Sequence, residues 1–312
     1  MTSFAFVFPG QGSQAVGMLD AWGDHPAVRQ TLEEASAALG EDIARLIQAG
    51  PKEQLDLTTN TQPVMLVAGI ACYRAWLAET GLKPAWVAGH SLGEYSALVA
   101  AGALTLADAL PLVRFRAQAM QEAVPVGTGA MAAILGLDAA AVREGCAEAA
   151  QASGEVVEAV NFNDPKQTVI AGTKAGVEKG CEVLKAKGAK RALPLPVSAP
   201  FHSSLMKPAA ERLKERLAAT PLLAPQMPVV NNIRVAIETD PQAIRQALYE
   251  QAFGPVRWVE VVQALRAQGA QVIIECGPGK VLAGMVKRIE PEVQATTVFD
   301  PASLEEAKRL VA

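Results

Sequence analysis

The stretch Gly89-His90-Ser91-Leu92-Gly93 sets a serine between two glycines, and Glu94 follows. Two roles fit these residues. A serine hydroxyl becomes an acyl-accepting nucleophile when a base takes its proton. Ser91-Leu92-Gly93-Glu94 also fits the S-x-x-E capping box, in which the serine only closes a helix start. The wider pattern favours the nucleophile. G-x-S-x-G after a strand and before a helix is the setting of a nucleophile elbow, whose glycines permit a tight turn and a close strand–helix approach. The helix start beneath the serine favours developing negative charge, and the Leu92 amide would point toward the reacting carbonyl.

Such a serine needs a base, and the chain has three histidines. His25 precedes Pro26, where a helix begins, and reads as a surface residue. His90 adjoins Ser91, and neighbours in a turn seldom bond side chain to side chain. His202, in VSAPFHSSLM, is the base by elimination, although alone it would read as a loop histidine capping the next helix. An acid orienting His202 would come from the C-terminal third. Glu238, Asp240, Glu250 and Glu275 are available there, none with a distinguishing signature. The alternative is a Ser–His dyad in which a backbone carbonyl fixes the tautomer.

A second glycine-rich stretch, FVFPGQGSQAVG, carries Gly10-x-Gly12-x-x-Ala15 after a strand. It matches a dinucleotide fingerprint weakly, since the second strand with its terminal acid is missing. A backbone nest is the better role: an amide near Gln11 would complete an oxyanion hole with Leu92. GPGK at 277–280 lacks Walker A spacing and reads as a strand-to-helix turn.

The elements that must hold these residues follow from apolar patterning. FAFVF (4–8) and AWVAG read as buried strands. TQPVMLVAGIACYRAWLAETG reads as a helix with Pro63 near its first turn and Gly81 past its end. The alternation of strand and helix predicts an α/β fold. Between about 125 and 197 the order changes. GAMAAIL, EVVEAVN, QTVIAGT and AKRALPL read as strands, with helices after the first and third and a turn, FNDPK, between the second and third. That βαββαβ order predicts a ferredoxin-like insert. After it, SSLMKPAAERLKERLAAT reads as a helix and PVVNN as a strand. DPQAIRQALYEQAF opens on Asp240 and Pro241, and SLEE (303–306) reads as the capping box of the last helix.

Half of the 312 residues are hydrophobic, enough for a large core, and the net charge is −4. An acidic chain argues against nucleic acid as the main partner. The N-terminus lacks a basic region followed by an apolar core, so no signal peptide is read. The least charged stretch, 57–73, is too polar to span a bilayer. The four scattered cysteines predict reduced, structural thiols. A cytoplasmic protein without membrane contact fits.

Taken together, FPGQGSQ (8–14), GHSLGEYSAL (89–98), VNFNDPKQTVIAG (160–172), LPVSAPFHSSLM (195–206), Asn231-Asn232 and GPGKVL (277–282) resemble the bacterial malonyl-CoA:acyl carrier protein transacylases. The likeness runs nearly end to end. It implies an α/β-hydrolase-like core with a parallel sheet, residues 1–124 and 198–312, and a ferredoxin-like subdomain, 125–197. It implies ping-pong malonyl transfer in fatty acid synthesis, from malonyl-CoA to the phosphopantetheine thiol of acyl carrier protein. Ser91 would carry the malonyl ester and His202 act as base. Amides of Gln11 and Leu92 would form the oxyanion hole, and Arg116 hold the free carboxylate of malonate. The carbonyl of Gln251 would orient the histidine, which explains the missing acid. Phe201, beside His202, is placed to crowd an α-methyl branch. No metal or cofactor is implied, and a monomer is expected.

Periodicity does not choose the arginine. Arg114 and Arg116 flank the apolar stripe of helix 105–122 about equally, and either alone would read as a solvated charge. Pro111, inside that helix, would shift Arg116 if it kinked the chain. Acyl carrier protein, acidic in this family, would need a basic patch. Lys187, Lys190 and Arg191, or Lys280, Lys287 and Arg288, could form it. The competing functions are a polyketide-pathway malonyl transferase, a serine esterase or thioesterase using the same pair, and a nucleotide-binding module at 10–17.

Overall fold

The computed structural model describes residues 2–197 and 199–312. Its strands are β1 (Phe4–Phe8), β2 (Trp86–Gly89), β3 (Gly129–Leu135), β4 (Val157–Asp164), β5 (Gln167–Thr173), β6 (Arg191–Pro194), β7 (Val229–Val230), β8 (Val272–Cys276) and β9 (Gln294–Val298). They form a five-stranded sheet, β7-β2-β1-β8-β9, whose pairs are all parallel. A separate four-stranded antiparallel sheet runs β4-β5-β3-β6.

FAFVF is apolar at every position because β1 is the middle strand and is covered on both faces. Alternate residues point to opposite faces. Phe4, Phe6 and Phe8 join one cluster with Trp76 and Tyr73, while Ala5 and Val7 join another with Trp258 and Val261. Phe6 meets Trp76 edge-on at 5.3 Å and Tyr73 at 5.8 Å. Each such ring pair contributes roughly 0.5–1.5 kcal/mol beyond its area burial. Trp76 and Tyr73 come from the helix Thr58–Thr80, whose residues from Thr61 to Tyr73 are all buried. The least charged part of the sequence is therefore a core helix. No helix among the described residues is long and apolar enough to cross a membrane.

The small sheet carries the expected βαββαβ order. Its helices, Ala139–Ser153 and Lys174–Ala186, pack on one face through Ile134, Val142, Ile170 and Leu184. The edge strand β4 is tied to the other part of the chain. Val256 donates to the Val160 carbonyl and Phe162 donates to the Val256 carbonyl.

Several sequence expectations need correction. The helix carrying Pro63 starts at Thr58, so this proline lies in its second turn. β4 runs on through Asp164, leaving only Pro165 and Lys166 in the turn, closed by the Lys166 amide on Asp164 Oδ1. The segment after His202 opens as a 3-10 turn, Ser204–Met206, and becomes α-helical at Lys207, next to Pro208. The last helix starts at Pro301, and its capping box is Asp300 with Ser303, not Ser303 with Glu306. Proline at the first helical position sets that start. Gly10–Gly12 leads into turns and not a helix start, since the first α-helix begins at Pro26. The dinucleotide reading thereby loses its anion-binding helix. Met1 and Ser198, where the two expected core segments begin, lie outside the described residues.

Candidate active site

Loops leaving the carboxyl ends of β1 and β2 converge on one cavity of about 480 Å3. Gln11 and Gly12 follow β1, and His90, Ser91 and Leu92 follow β2. Open parallel sheets place their sites at this edge. The turn after β2 is tight because strand and helix nearly touch. A Cβ on Gly89 would lie 1.9 Å from the Gly93 backbone, and one on Gly93 would lie 2.0 Å from the Phe8 carbonyl oxygen. Only glycine fits at either position. Ser91 sits between them at φ 53°, in the left-handed region that L side chains avoid.

Glu94 does not close a capping box on Ser91. Its carboxylate accepts from the Asn232 amide and from Gln251 Nε2. The Ser91 amide donates to Asn232 Oδ1 at 2.7 Å, and Asn232 Nδ2 donates to the Gly89 carbonyl. The serine hydroxyl is left for other work. It lies 2.7 Å from His202 Nε2, and His202 Nδ1 lies 2.8 Å from the Gln251 carbonyl oxygen. A carbonyl only accepts, so Nδ1 carries the proton and Nε2 faces the hydroxyl as acceptor. Burial, with Arg116 adding, pushes the His202 pKa down to about 3 against the pull of the Gln251 carbonyl. The resting imidazole is neutral, the form a base requires. His202 also has positive φ, 65°, so both members of the pair are held in strained backbone.

The other histidines do different work. His25 caps the helix Pro26–Leu39 through Nδ1 and meets Glu79 through Nε2. His90 Nε2 lies 2.8 Å from Asn163 Oδ1 on β4, and its ring packs against Trp258. The four acids considered for orientation are engaged elsewhere: Glu238 and Glu250 with Arg234, Asp240 with the Ala243 amide, and Glu275 with the Ala283 amide.

Arg116 is 1% exposed and reaches the cavity although Pro111 lies in its helix, Leu106–Glu122. Arg114 points away and pairs with Glu41. The Arg116 guanidinium donates to Gln62 Oε1 at 2.6 Å, to Gln251 Oε1 at 3.0 Å and to Ser91 Oγ at 3.2 Å. All three acceptors are uncharged. Among the described residues, no carboxylate is within ion-pair distance of it. Buried arginines are normally paired. Met120, Met131, Leu195, Val197 and Phe201 give the cavity an apolar wall.

Comparisons with known proteins place the chain in a family. The model of the acyl transferase domain matches residues 5–299. The chain belongs to the acyl transferase family. The Malonyl CoA-acyl carrier protein transacylase of Escherichia coli (strain K12) is 54% identical over 311 residues, covering 99% of this chain and all of the relative. The same-named protein of Bacillus subtilis (strain 168) is 46% identical, with 98% and 96% covered. The solved acyl-carrier-protein S-malonyltransferase of Burkholderia pseudomallei 1710b superposes with a TM-score of 0.97 at 66% identity, covering 99% and 100%. A structure described as a type II PKS acyl-carrier protein in complex with its malonyl-transacylase superposes at 0.96 with 50% identity, again covering 99% and 100%.

In this acyl transferase the sequence-predicted residues Gln11, Ser91, Leu92, Arg116, Phe201 and His202 all line one cavity, with Gln251 directly behind them. Because Asn232 occupies the Ser91 amide, oxyanion donors must come from other groups. The Leu92 amide, at the N-cap of helix Gly93–Ala100, is next in line. Sequence reasoning missed Gln62, Asn232 and the part played by Glu94. Asn231-Asn232 stood out only as a matching dipeptide. Gln62 lay in a stretch read as ordinary helix.

Proposed function

We propose that this acyl transferase moves a malonyl group from malonyl-CoA to the phosphopantetheine thiol of acyl carrier protein, in fatty acid synthesis. The observation that carries the reading is Arg116: a buried guanidinium, at the reacting serine, whose acceptors are all neutral. Its planar fork suits the free carboxylate of malonate. Acetyl-CoA would leave that cation unpaired.

The reaction is read as ping-pong. Ser91 Oγ attacks the thioester carbonyl while His202 Nε2 takes the hydroxyl proton. The amides of Gln11 and Leu92 hold the oxyanion. The intermediate collapses, the C–S bond breaks, and CoA leaves with the proton from His202. The carrier thiol then gives its proton to His202 and attacks the malonyl-serine ester, restoring the Ser91 hydroxyl. The exchange uses no metal or cofactor as written. The Gln251 carbonyl holds the imidazole throughout. Phe201, half-buried beside His202, narrows the space an α-methyl branch would need.

The parallel sheet with its elbow is read as an α/β-hydrolase-like core, 1–124 and 198–312, and the antiparallel sheet as a ferredoxin-like subdomain, 125–197. The carrier, being acidic, is expected on basic surface. Lys187 is held by Glu144 and Glu148 and Arg288 by Asp164, while Lys190, Arg288 and Lys166 line one surface cavity with that aspartate. Members of both predicted clusters therefore meet there. A monomer acting in the cytoplasm is the expected setting.

Intact mass spectrometry after mixing with malonyl-CoA tests the reading. The wild-type protein should gain one malonyl group and lose it to acyl carrier protein, and Ser91→Ala should gain none. Rapid hydrolysis of the ester without any added thiol would instead make the protein a thioesterase.

A further inference from the structure

Among the buried carboxylates that the reaction leaves unused, Glu94 lies nearest the reacting serine in the chain. Glu94 is 2% exposed, directly after the elbow, and such a group costs stability unless its environment compensates. A single oxygen, Oε2, accepts from the Asn232 amide at 2.9 Å and from Gln251 Nε2 at 3.0 Å. Both partners lead to the reacting groups. Asn232 holds the Ser91 amide and the Gly89 carbonyl. Gln251 Nε2 also donates to the Ser91 carbonyl, its Oε1 accepts from Arg116, and its backbone carbonyl accepts from His202. Apart from Ser91 itself, no other described residue is bonded to both of these partners.

We propose that Glu94 is a positioning residue: its carboxylate fixes Asn232 and Gln251 together, and through them aligns the Ser91 turn, the His202 ring and the Arg116 fork as one array. This deepens the malonyl-transfer reading and rests on it only for the identity of the acyl group. The charge on Glu94 matters to that alignment, because both of its hydrogen bonds are strengthened by it. The groups facing the carboxylate are Arg116 from helix Leu106–Glu122, Tyr95 on its own helix, and Glu238, ion-paired with Arg234, across a small cavity. Burial pushes the Glu94 pKa up to about 7, against Asn232, Gln251 and Arg116. It therefore loses its charge as pH falls through neutrality, where His202, at about 3, does not titrate.

Glu94→Gln tests this, because the amide oxygen can accept both bonds while the charge is gone. Two rates are read from about pH 5.5 to 8.5: labelling of Ser91 by a fluorophosphonate, and loading from malonyl-CoA, with circular dichroism and melting as fold checks. Wild-type labelling should fall below about pH 7, and Glu94→Gln should label roughly tenfold more slowly at pH 8 with no such fall. Wild-type labelling rates with an unchanged pH profile in a folded Glu94→Gln would overturn the proposal. If Glu94→Gln does not fold, Glu94→Asp decides. It keeps the charge but is one methylene short, so slower labelling with the acid limb retained supports the proposal, and wild-type labelling overturns it. A wild-type protein that takes the fluorophosphonate but not malonate would refute malonyl transfer and leave the positioning role standing.

Discussion

The parallel sheet ends twice in a strand–turn–helix unit with a buried glutamate, and the two units are built differently. β2 passes through His90–Leu92 into the helix Gly93–Ala100, and β8 passes through Gly277–Lys280 into the helix Val281–Ile289. Burial pushes both Glu94 and Glu275 up to about 7. In the second unit, positive φ falls on Gly277 and Gly279, which carry it without strain, and Glu275 accepts from the Ala283 amide eight residues on. In the first, it falls on Ser91, at a cost of about 1–3 kcal/mol. Glu94 there reaches residues 138 and 157 positions away. A turn that only joins elements gives its strained positions to glycine and uses its carboxylate locally. A turn that presents a reacting group puts a side chain at the strained position and needs distant residues to hold it.

That contrast can be broken most severely at the base. His202→Ala should lower malonyl loading by about 10⁴- to 10⁶-fold in stopped-flow assays. Glu275→Gln, on β8 just before the joining turn, should change the loading rate less than about twofold. Comparable losses would mean that the second turn also serves the chemistry. Arg116→Ala comes next. Malonyl loading should fall by roughly a hundredfold or more while acetyl loading holds or rises. Equal losses on both substrates would remove the carboxylate role. Third, Gly93→Ala should cost at least about 3 kcal/mol in urea unfolding, because the added methyl overlaps the Phe8 carbonyl. Gly279→Ala, opposed by Ser13 at 3.0 Å and by its φ of 93°, should cost nearer 1–2 kcal/mol.

The smallest effect concerns pH. Glu275 binds its proton more tightly in the folded protein than in the unfolded chain. Between about pH 4.5 and 7 this group therefore makes the fold less stable as pH rises, by roughly 3 kcal/mol in full. Glu275→Gln should remove that part of the slope and raise the melting temperature at pH 8 relative to wild type. The remaining slope includes Glu94, of the same sign, and the buried His90 and His202, both lowered by burial. The lowered His202 pKa has the opposite sign: its contribution is present above about 6.5 and is lost toward 3. An unchanged slope in Glu275→Gln would show that its carboxyl titrates normally.

Much of this architecture was legible because its signals are local. β1 announced a strand buried on both faces by five apolar residues in a row, and β3 and β5 were found at their observed bounds. Asp240 and Pro241 marked a helix start that forms as written. The misses were local too. The last helix begins three residues early because Asp300-Pro301 outcompetes Ser303 as a start, and Ser303 serves as the box's inner member. Ser91 was visible because an elbow has a short pattern of its own.

What the amino-acid order settled, then, was the alternation of elements, the serine at the elbow and the choice of His202 among three histidines. Folding decided the rest of the site. Arg114 and Arg116 are equivalent by periodicity, and only the packing of helix Leu106–Glu122 turns Arg116 inward and leaves Arg114 to Glu41. The missing acid is a backbone carbonyl, which no residue type can advertise. Glu94, Asn232 and Gln251 form one array although they are widely separated in the chain. Side-chain patterns encode faces and turns over a few residues, whereas hydrogen bonds across more than a hundred residues exist only once the sheet has brought its loops to one edge.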